Sequence, residues 1–353
     1  MKYLMKFFIL IFAVLACSMS AFAQGCEEPA DDGGDTSFKP RIIGFIQPQY
    51  EYHFTEDADR NIKNSNTFKF MRARLGVTGK IPYDFTYYAM MEFSPFVSKT
   101  GYPYLLDVFI SYRRFKWASI SAGSFKQPFG LEVNTPCSGL HTIYRSVVSD
   151  QLVSPQRDMG LMLFGGNKQT FVRYSAALMN GTGLGVKDNN NKKDIIGRAV
   201  IHPLDFLYVG GSFRQGWPTK DTLTRTSFAA EIEIVFSNFL FQAEYIFDEG
   251  DYNRSAGGGC GSDPLVLGEK RAGWWAMAMY RTYFNLEPVI KVESFDTGDD
   301  YGNSDLITTF GFNYFINDNV RLQVNYRYRA EKNDLSTAEI PNDALVFQLQ
   351  AKF

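Results

Sequence analysis

This sequence of 353 residues has few long apolar runs, three histidines and no large excess of charge of either sign. Beyond the N-terminal region, no segment reaches the ~20 apolar residues that a membrane-spanning helix needs. The three histidines, His53, His141 and His202, are far apart, so neither a metal site nor a nucleophile–histidine pair is expected. The formal net charge of −2 gives no general attraction to nucleic acid. Membrane helices, an enzyme, a bound cofactor and nucleic-acid binding are therefore disfavoured.

Cysteine is scarce as well, with four residues in the chain. Cys17 falls within the predicted signal peptide described below, which leaves Cys26, Cys137 and Cys260. An odd number of cysteines cannot all pair within one chain. If a disulfide forms, Cys137 with Cys260 is favoured because both lie in predicted long loops, but the sequence leaves this pairing open.

The N-terminus has the pattern of a secretory signal peptide. A lysine-bearing start precedes an apolar run at residues 7–16, which is too short to span a membrane, and a small-residue Ala-Phe-Ala motif ends at residue 23. We predict a signal peptide at residues 1–23, with lipoprotein processing at Cys17 as the weaker alternative. Residues 24–40 are acidic, contain glycine and proline and lack periodicity, so we expect a flexible leader there.

Aromatic residues and alternating segments, by contrast, are abundant: 32 Phe, 20 Tyr and four Trp make 16% of the chain. The last ten residues place one set of side chains on one face of a strand: Leu345, Phe347, Leu349, Ala351 and Phe353. The other face carries a more polar set: Val346, Gln348, Gln350 and Lys352. A final strand that is apolar outside, polar inside and closed by an aromatic residue is typical of a transmembrane β-barrel.

The rest of the chain supports the same fold. From Arg41 onward the sequence breaks into sixteen segments of about ten alternating residues, and the connections are alternately long and short. Short ones include His202-Pro203-Leu204. A large soluble β-sandwich or propeller would also have many strands, but it would not explain this alternation. We predict an all-β, transmembrane antiparallel barrel of about sixteen strands over residues 41–353, in the outer membrane of a Gram-negative cell.

The longest connection, residues 127–158, is the third long one. It has its own apolar residues: Leu140, Ile143, Tyr144, Val147 and Val148. Because sixteen strands enclose a lumen too wide for wall side chains to fill, we expect this loop to fold into the lumen and narrow it. The alternative is that it covers the barrel mouth as a lid or a trimer contact.

The alternation also predicts which charged side chains face the lumen. Arg72 and Arg74 face inward on one strand, and Arg321 and Arg327 on another; closure of the barrel would place these two strands on one wall. Further basic groups are predicted elsewhere on the inner face: Arg113, Arg173, Arg198 and Lys291. Rows of guanidinium groups favour anions. Acidic residues share the inner face: Glu51, Glu92, Asp107, Glu231, Glu233, Glu287 and Glu293. A mixed-charge lumen with weak selectivity therefore stays open as an alternative.

Several stretches resemble the phosphate-selective porin O and P family. The most specific is Gly123-Ser124-Phe125-Lys126-Gln127-Pro128-Phe129-Gly130-Leu131-Glu132. Others are Tyr144-Arg145-Ser146, Arg157-Asp158-Met159-Gly160, Asn180-Gly181 and the arginine-bearing Phe70-Met71-Arg72-Ala73-Arg74-Leu75. The resemblance implies a sixteen-stranded barrel, usually trimeric, with its third loop folded inward and a basic constriction. Carried onto this chain, it points to Lys126, Arg145 and Arg157 near the constriction and to Arg72 and Arg74 on the wall.

Together these observations predict an outer-membrane porin for passive diffusion of small hydrophilic solutes, leaning toward anions such as phosphate. The predicted anion-binding residues of the pore are Arg72, Arg74, Lys126, Arg145, Arg157, Arg321 and Arg327. Expected partners are small inorganic or organic anions, the lipid bilayer with its lipopolysaccharide, and two further copies in a homotrimer. The alternative function is a non-conducting structural or secretion-associated barrel.

Overall fold

The computed structural model describes residues 38–56, 61–98, 101–252, 265–298, 304–331 and 342–353. The predicted signal peptide, nearly all of the predicted leader and Cys260 lie outside these residues. Within the described part of the chain, no helix is long and apolar enough to cross a membrane.

Sixteen strands formed by the described residues close into one antiparallel barrel, which confirms the predicted fold and strand number. Each strand pairs with its neighbours in sequence, and β16 closes the ring by pairing with β1, with Tyr50 opposite Phe347. The strands are β1 (Arg41–His53), β2 (Ser65–Ile81), β3 (Phe85–Glu92), β4 (Tyr104–Phe115), β5 (Ala118–Lys126), β6 (Arg157–Gly165), β7 (Val172–Met179), β8 (Asp194–Leu204), β9 (Leu207–Gly216), β10 (Arg225–Phe236), β11 (Phe239–Gly250), β12 (Lys270–Tyr280), β13 (Leu286–Asp296), β14 (Ser304–Phe315), β15 (Val320–Glu331) and β16 (Ala344–Lys352).

The two faces of the wall differ as the alternation predicts. In β16, Phe347 and Leu349 are 43% and 41% exposed on the outer face, whereas Gln348 and Gln350 between them are buried on the inner face. Exposed aromatic side chains also gather where strands meet the short turns: Phe85, Trp117, Phe206, Phe236, Phe239, Tyr283 and Phe353. Such a row of aromatics suits the boundary between lipid and water.

All four non-glycine residues with positive φ in the described part of the chain lie in short turns. Tyr83 and Asp84 between β2 and β3, Ser237 between β10 and β11, and Asn285 before β13 all have positive φ. The predicted turn at His202-Pro203-Leu204 is wrong, because β8 continues to Leu204 and the chain reverses at residues 205–206. The register of β8 against β9 shifts between Ile201 and Leu204, and this irregularity accommodates a proline that has no backbone N–H to donate.

The third long loop is two residues shorter than predicted, spanning 127–156. Arg157 is the first residue of β6 and pairs in register with Lys126, the last residue of β5. The described residues outside the strands include three short helices: α1 (Ser94–Val97) in the second long connection, and α2 (Leu131–Asn134) and α3 (Val147–Leu152) in the third.

Candidate functional site

Loop 127–156 lies inside the ring of strands. Its backbone N–H groups donate to Glu244 on β11 and Asn325 on β15, both at 2.8 Å, from Leu131 and Ile143 respectively. Its Tyr144 hydroxyl lies 2.8 Å from Gln49 Nε2 on β1. A segment that contacts strands around the ring in this way crosses the lumen.

Gly130 shows how closely the loop approaches the wall. Its φ is +74°, and a Cβ at this position would lie 2.2 Å from Glu244 Oε1. Glu244 is itself held in place, since it also accepts hydrogen bonds from Glu132 N, Ser149 Oγ and Trp275 Nε1. Glycine is therefore required in the Pro-Phe-Gly motif for two reasons: its positive φ and the lack of space for a side chain.

Carboxylates on the wall satisfy the N–H groups at the starts of the two loop helices. Glu244 receives the first N–H groups of α2, and Glu293 on β13 accepts from Val147 N at 2.5 Å at the start of α3. Ser146 caps α3 by accepting from Ser149 N at 3.1 Å. The N–H groups that a helix start leaves without partners are thus paired with side chains inside the barrel.

Arginines on the wall hold the other end of α3. Arg225 on β10 donates to the carbonyls of Leu152 (2.8 Å) and Ser154 (2.5 Å), and Arg214 on β9 contacts the same two carbonyls. Arg214, Arg225 and Arg271 surround Asp248, which is completely buried. One carboxylate thus neutralises part of a three-arginine cluster whose spare donors fix the loop backbone.

A loop-to-wall ion pair completes the attachment. Lys291 Nζ on β13 lies 3.1 Å from Glu132 Oε1 and donates to the carbonyl of Tyr144 at 2.9 Å. Burial alone would raise the pKa of Glu132, but the Lys291 ammonium and hydrogen bonds from Ser146 outweigh burial and hold this pKa below its ordinary value. Glu132 is therefore ionised at neutral pH.

Four of the seven predicted pore residues lie close to the start of the loop. Arg74 donates to Glu92 Oε2 at 2.6 Å and to Cys137 Sγ at 3.3 Å, and Arg157 donates to Asp107 Oδ1 at 2.8 Å. Lys126 donates to the carbonyls of Val133 and Thr135, at 3.0 and 3.3 Å, and Arg145 also donates to Thr135 O, at 2.8 Å. Arg74, Lys126 and Arg157 line a small cavity of about 20 Å³ beside buried Cys137.

The other three lie elsewhere on the wall. Arg72 is buried on β2 and donates to Gln47 Oε1 at 2.7 Å. Arg321 on β15 donates to the loop carbonyl of Ser138 at 2.9 Å. Arg327, also on β15, lies over the Tyr144 ring and 3.9 Å from Glu293. The structure places all seven on the inner side, and it gives six of them contacts with the loop or with an acidic wall residue.

A larger open space shares Lys126 with the small cavity. A cavity of about 110 Å³, well above the ~10–15 Å³ that one water needs, is bounded by β4–β8, β10, the start of the loop and the short β6–β7 turn. Five basic side chains and one acidic one line it: Arg113, Lys126, Lys168, Arg173, Arg198 and Glu233. Lys168 pairs with Glu233 at 3.2 Å, and Arg198 pairs with Glu231 at 2.5 Å. Positive charge therefore exceeds negative charge around this space.

Only Lys126 of the seven predicted pore residues lines this cavity. The alternation predicted that Arg113, Arg173 and Arg198 face inward, but no motif distinguished them from the other inward basic residues. Lys168 lies in a short turn, where alternation gives no direction, and the sequence carries no signal for its position. In the described chain, no cluster of three or more His, Cys, Asp or Glu side chains is arranged to hold a metal ion.

Comparisons with known proteins agree with the barrel. Residues 46–209 match the family described as phosphate-selective porin O and P, which confirms the predicted resemblance over that part of the chain. No curated protein sequence matches this chain.

Several solved structures share its fold. An anion-selective porin from Comamonas acidovorans has a TM-score of 0.65 at 11% identity, covering 89% of this chain and 99% of its own. Salmonella typhi OmpF in complex with daunomycin has a TM-score of 0.66 at 15% identity, covering 89% and 98%. The trimer form of OmpT, an outer membrane protein of Vibrio cholerae, has a TM-score of 0.60 at 12% identity, covering 89% and 99%. The family match and the fold together indicate an outer-membrane protein and support a channel.

Proposed function

We propose that this chain is a porin through which small hydrophilic solutes diffuse passively, with a preference for small anions, phosphate among them. The observation that carries the proposal is the cavity inside the barrel, with five basic side chains and one acidic side chain in its lining. A solute on this side of the lumen passes basic groups from β4, β5, β7, β8 and the β6–β7 turn.

The anion preference follows from the balance of charge. In a narrow space with protein walls, a net positive lining lowers the energy of an anion and raises that of a cation. Arg113, Arg173 and Arg198 also present planar donor groups that suit phosphate and carboxylate oxygens. Glu233 and Glu231 weaken the field without cancelling it.

Among the seven predicted pore residues only Lys126 lines the cavity; it also donates to loop carbonyls, so we assign it both a place beside the solute path and a part in holding the loop. Arg74, Arg145, Arg157 and Arg321 are engaged with the loop or with acidic partners, and we propose that they shape the constriction by holding the loop across the lumen. We propose a homotrimer as the assembly, in keeping with the trimer form described for OmpT.

Single-channel recording in a planar bilayer tests the function. Purified protein is expected to give stepwise conductance, in groups of three for a trimer, and a reversal potential of the sign for anion selectivity in a KCl gradient. Near-equal permeabilities of K⁺ and Cl⁻ would make the protein a general porin. Folded protein without conductance would favour the alternative, a structural or secretion-associated barrel.

A further inference from the structure

The lining of the larger cavity is apolar as well as basic. Apolar side chains line it beside the charged ones: Phe109 on β4, Met162 and Phe164 on β6, and Val200 on β8. The loop contributes Pro128 and Leu131 from the other side. An inorganic ion gains nothing from such surfaces, because it has no apolar part to remove from water.

The basic groups lie against aromatic rings. The Arg113 guanidinium carbon is 5.8 Å from the centre of the Phe164 ring, and that of Arg173 is 5.9 Å from the centre of the Tyr208 ring. Lys168 Nζ is 5.7 Å from the same Tyr208 ring. Arg173 Nε is buried and has no hydrogen-bond partner among the described residues. This Nε–H is a donor left over on a guanidinium that lines the cavity.

We propose that the cavity binds small organic carboxylates with an apolar body, such as an aromatic acid anion, in preference to inorganic phosphate. The carboxylate is received by Arg173 and its basic neighbours, since a guanidinium pairs well with two carboxylate oxygens. The apolar body is removed from water against Phe109, Phe164 and Leu131. This inference rests on the proposed channel function and names the solute class that the channel favours.

Electrostatic attraction alone predicts the opposite order of affinity, so the two explanations can be distinguished by experiment. Near neutral pH phosphate carries more negative charge than a monocarboxylate and has more acceptor oxygens. A purely electrostatic cavity would therefore bind phosphate more tightly than benzoate. Acetate separates the two contributions further, because it has the carboxylate of benzoate without the ring.

The test is block of chloride current through the wild-type channel at pH 7 by benzoate, acetate or phosphate at equal ionic strength. We expect half-block by benzoate at a concentration about tenfold lower than by phosphate or acetate. Half-block by phosphate at an equal or lower concentration than by benzoate would overturn the proposal. The reversal potential in KCl alone tests the channel function separately, so a failure of one is distinguishable from a failure of the other.

A pair of variants locates the apolar contact. Phe164→Ser is expected to raise the benzoate concentration for half-block about threefold to tenfold while leaving block by acetate unchanged, whereas Phe164→Leu keeps most of the apolar surface and most of the block. Equal benzoate block in wild type and Phe164→Ser would contradict binding at this ring. The wild-type comparison of the three anions decides the proposal even if the serine variant does not fold.

Discussion

The two sides of the inner wall use their charged side chains differently. On β9–β13, Arg214, Arg225 and Lys291 donate to the backbone of the loop, and Glu244 and Glu293 accept from it. On β4–β8, Arg113, Arg173 and Arg198 line open space. The same residue type in the same inward phase therefore attaches the loop on one side and borders open space on the other. The partner of each charge, rather than its sign, separates the two roles.

The physical reason is the cost of burying charge. A charged group removed from water is stable only when it is paired and its donors or acceptors are satisfied. The loop supplies many backbone groups that need partners, and the wall of β9–β13 meets that need. Where the loop leaves space, basic groups border the cavity, and we propose that anions reach them there.

The largest expected effect comes from breaking the attachment at its most buried charge. Asp248→Ala leaves Arg214, Arg225 and Arg271 together without the carboxylate that they share. We expect the free energy of unfolding to fall by about 3–5 kcal/mol, because a buried charge cluster loses its compensation. Urea unfolding in detergent, followed by tryptophan fluorescence, measures this.

Glu249→Ala is the matched control for that change. Glu249 is the next residue on β11, but its side chain is 40% exposed and lies 3.8 Å from Lys270 on the surface. We expect a change of at most about 0.5 kcal/mol for this variant. Similar losses in the two variants would contradict the attachment role of the Asp248 cluster.

A smaller effect is expected from crowding the loop against the wall. Gly130→Ala adds a methyl group 2.2 Å from Glu244 Oε1, so the loop or Glu244 must move, at a cost of about 1–3 kcal/mol. Noisier single-channel current and lower stability are the readouts. Gly185→Ala is the control, since Gly185 also has a positive φ, of +71°, yet a Cβ there meets nothing within 4 Å. If both variants behave alike, backbone angle alone explains the effect and close packing does not.

The smallest expected effect is the response of the loop to pH. The ordinary pKa of Glu132 is 4.5 and its pKa in the folded protein is lower, so its ion pair with Lys291 contributes full stability above pH 4.5 and is lost as the pH falls through the lowered value. The contribution of this ion pair to open-channel noise is therefore expected to stay constant from pH 7 to about 4.5 and to change only at more acidic pH.

Glu132→Gln isolates the contribution of this residue to the pH response. The variant lacks the ion pair at every pH, so its noise should already be raised at pH 7 and should change less on acidification. A rise in wild-type noise centred above pH 4.5 would argue against Glu132 as the group responsible.

Alternation in the sequence was sufficient to predict the barrel, its strand number and the inward phase of its charges. It works because each wall residue has only two environments, lipid or lumen, so the side-chain pattern follows the fold directly. It failed at Pro203, where a strand tolerates proline next to an irregular register, and at the end of the third loop, where Arg157 belongs to β6.

The roles of individual charges were beyond the reach of the sequence. An inward arginine can face the loop backbone, a wall side chain or open space, as Arg225, Arg72 and Arg173 illustrate. Which of these it faces depends on the path of the third long loop, a thirty-residue segment with no periodicity of its own. Lys168 is an example: it lies in a short turn, and only the structure shows that this turn lines the cavity.

The most direct test of the two-sided wall compares two changes that each remove one inward positive charge. Arg173 lines the cavity, whereas Arg72 is buried against Gln47. Reversal potentials in a KCl gradient should show that Arg173→Gln lowers the anion-to-cation permeability ratio by about twofold or more, while Arg72→Gln leaves it close to that of the wild type. An equal or larger shift in Arg72→Gln would contradict this account. It would place the selectivity on the wall that carries Arg72, as the sequence first indicated.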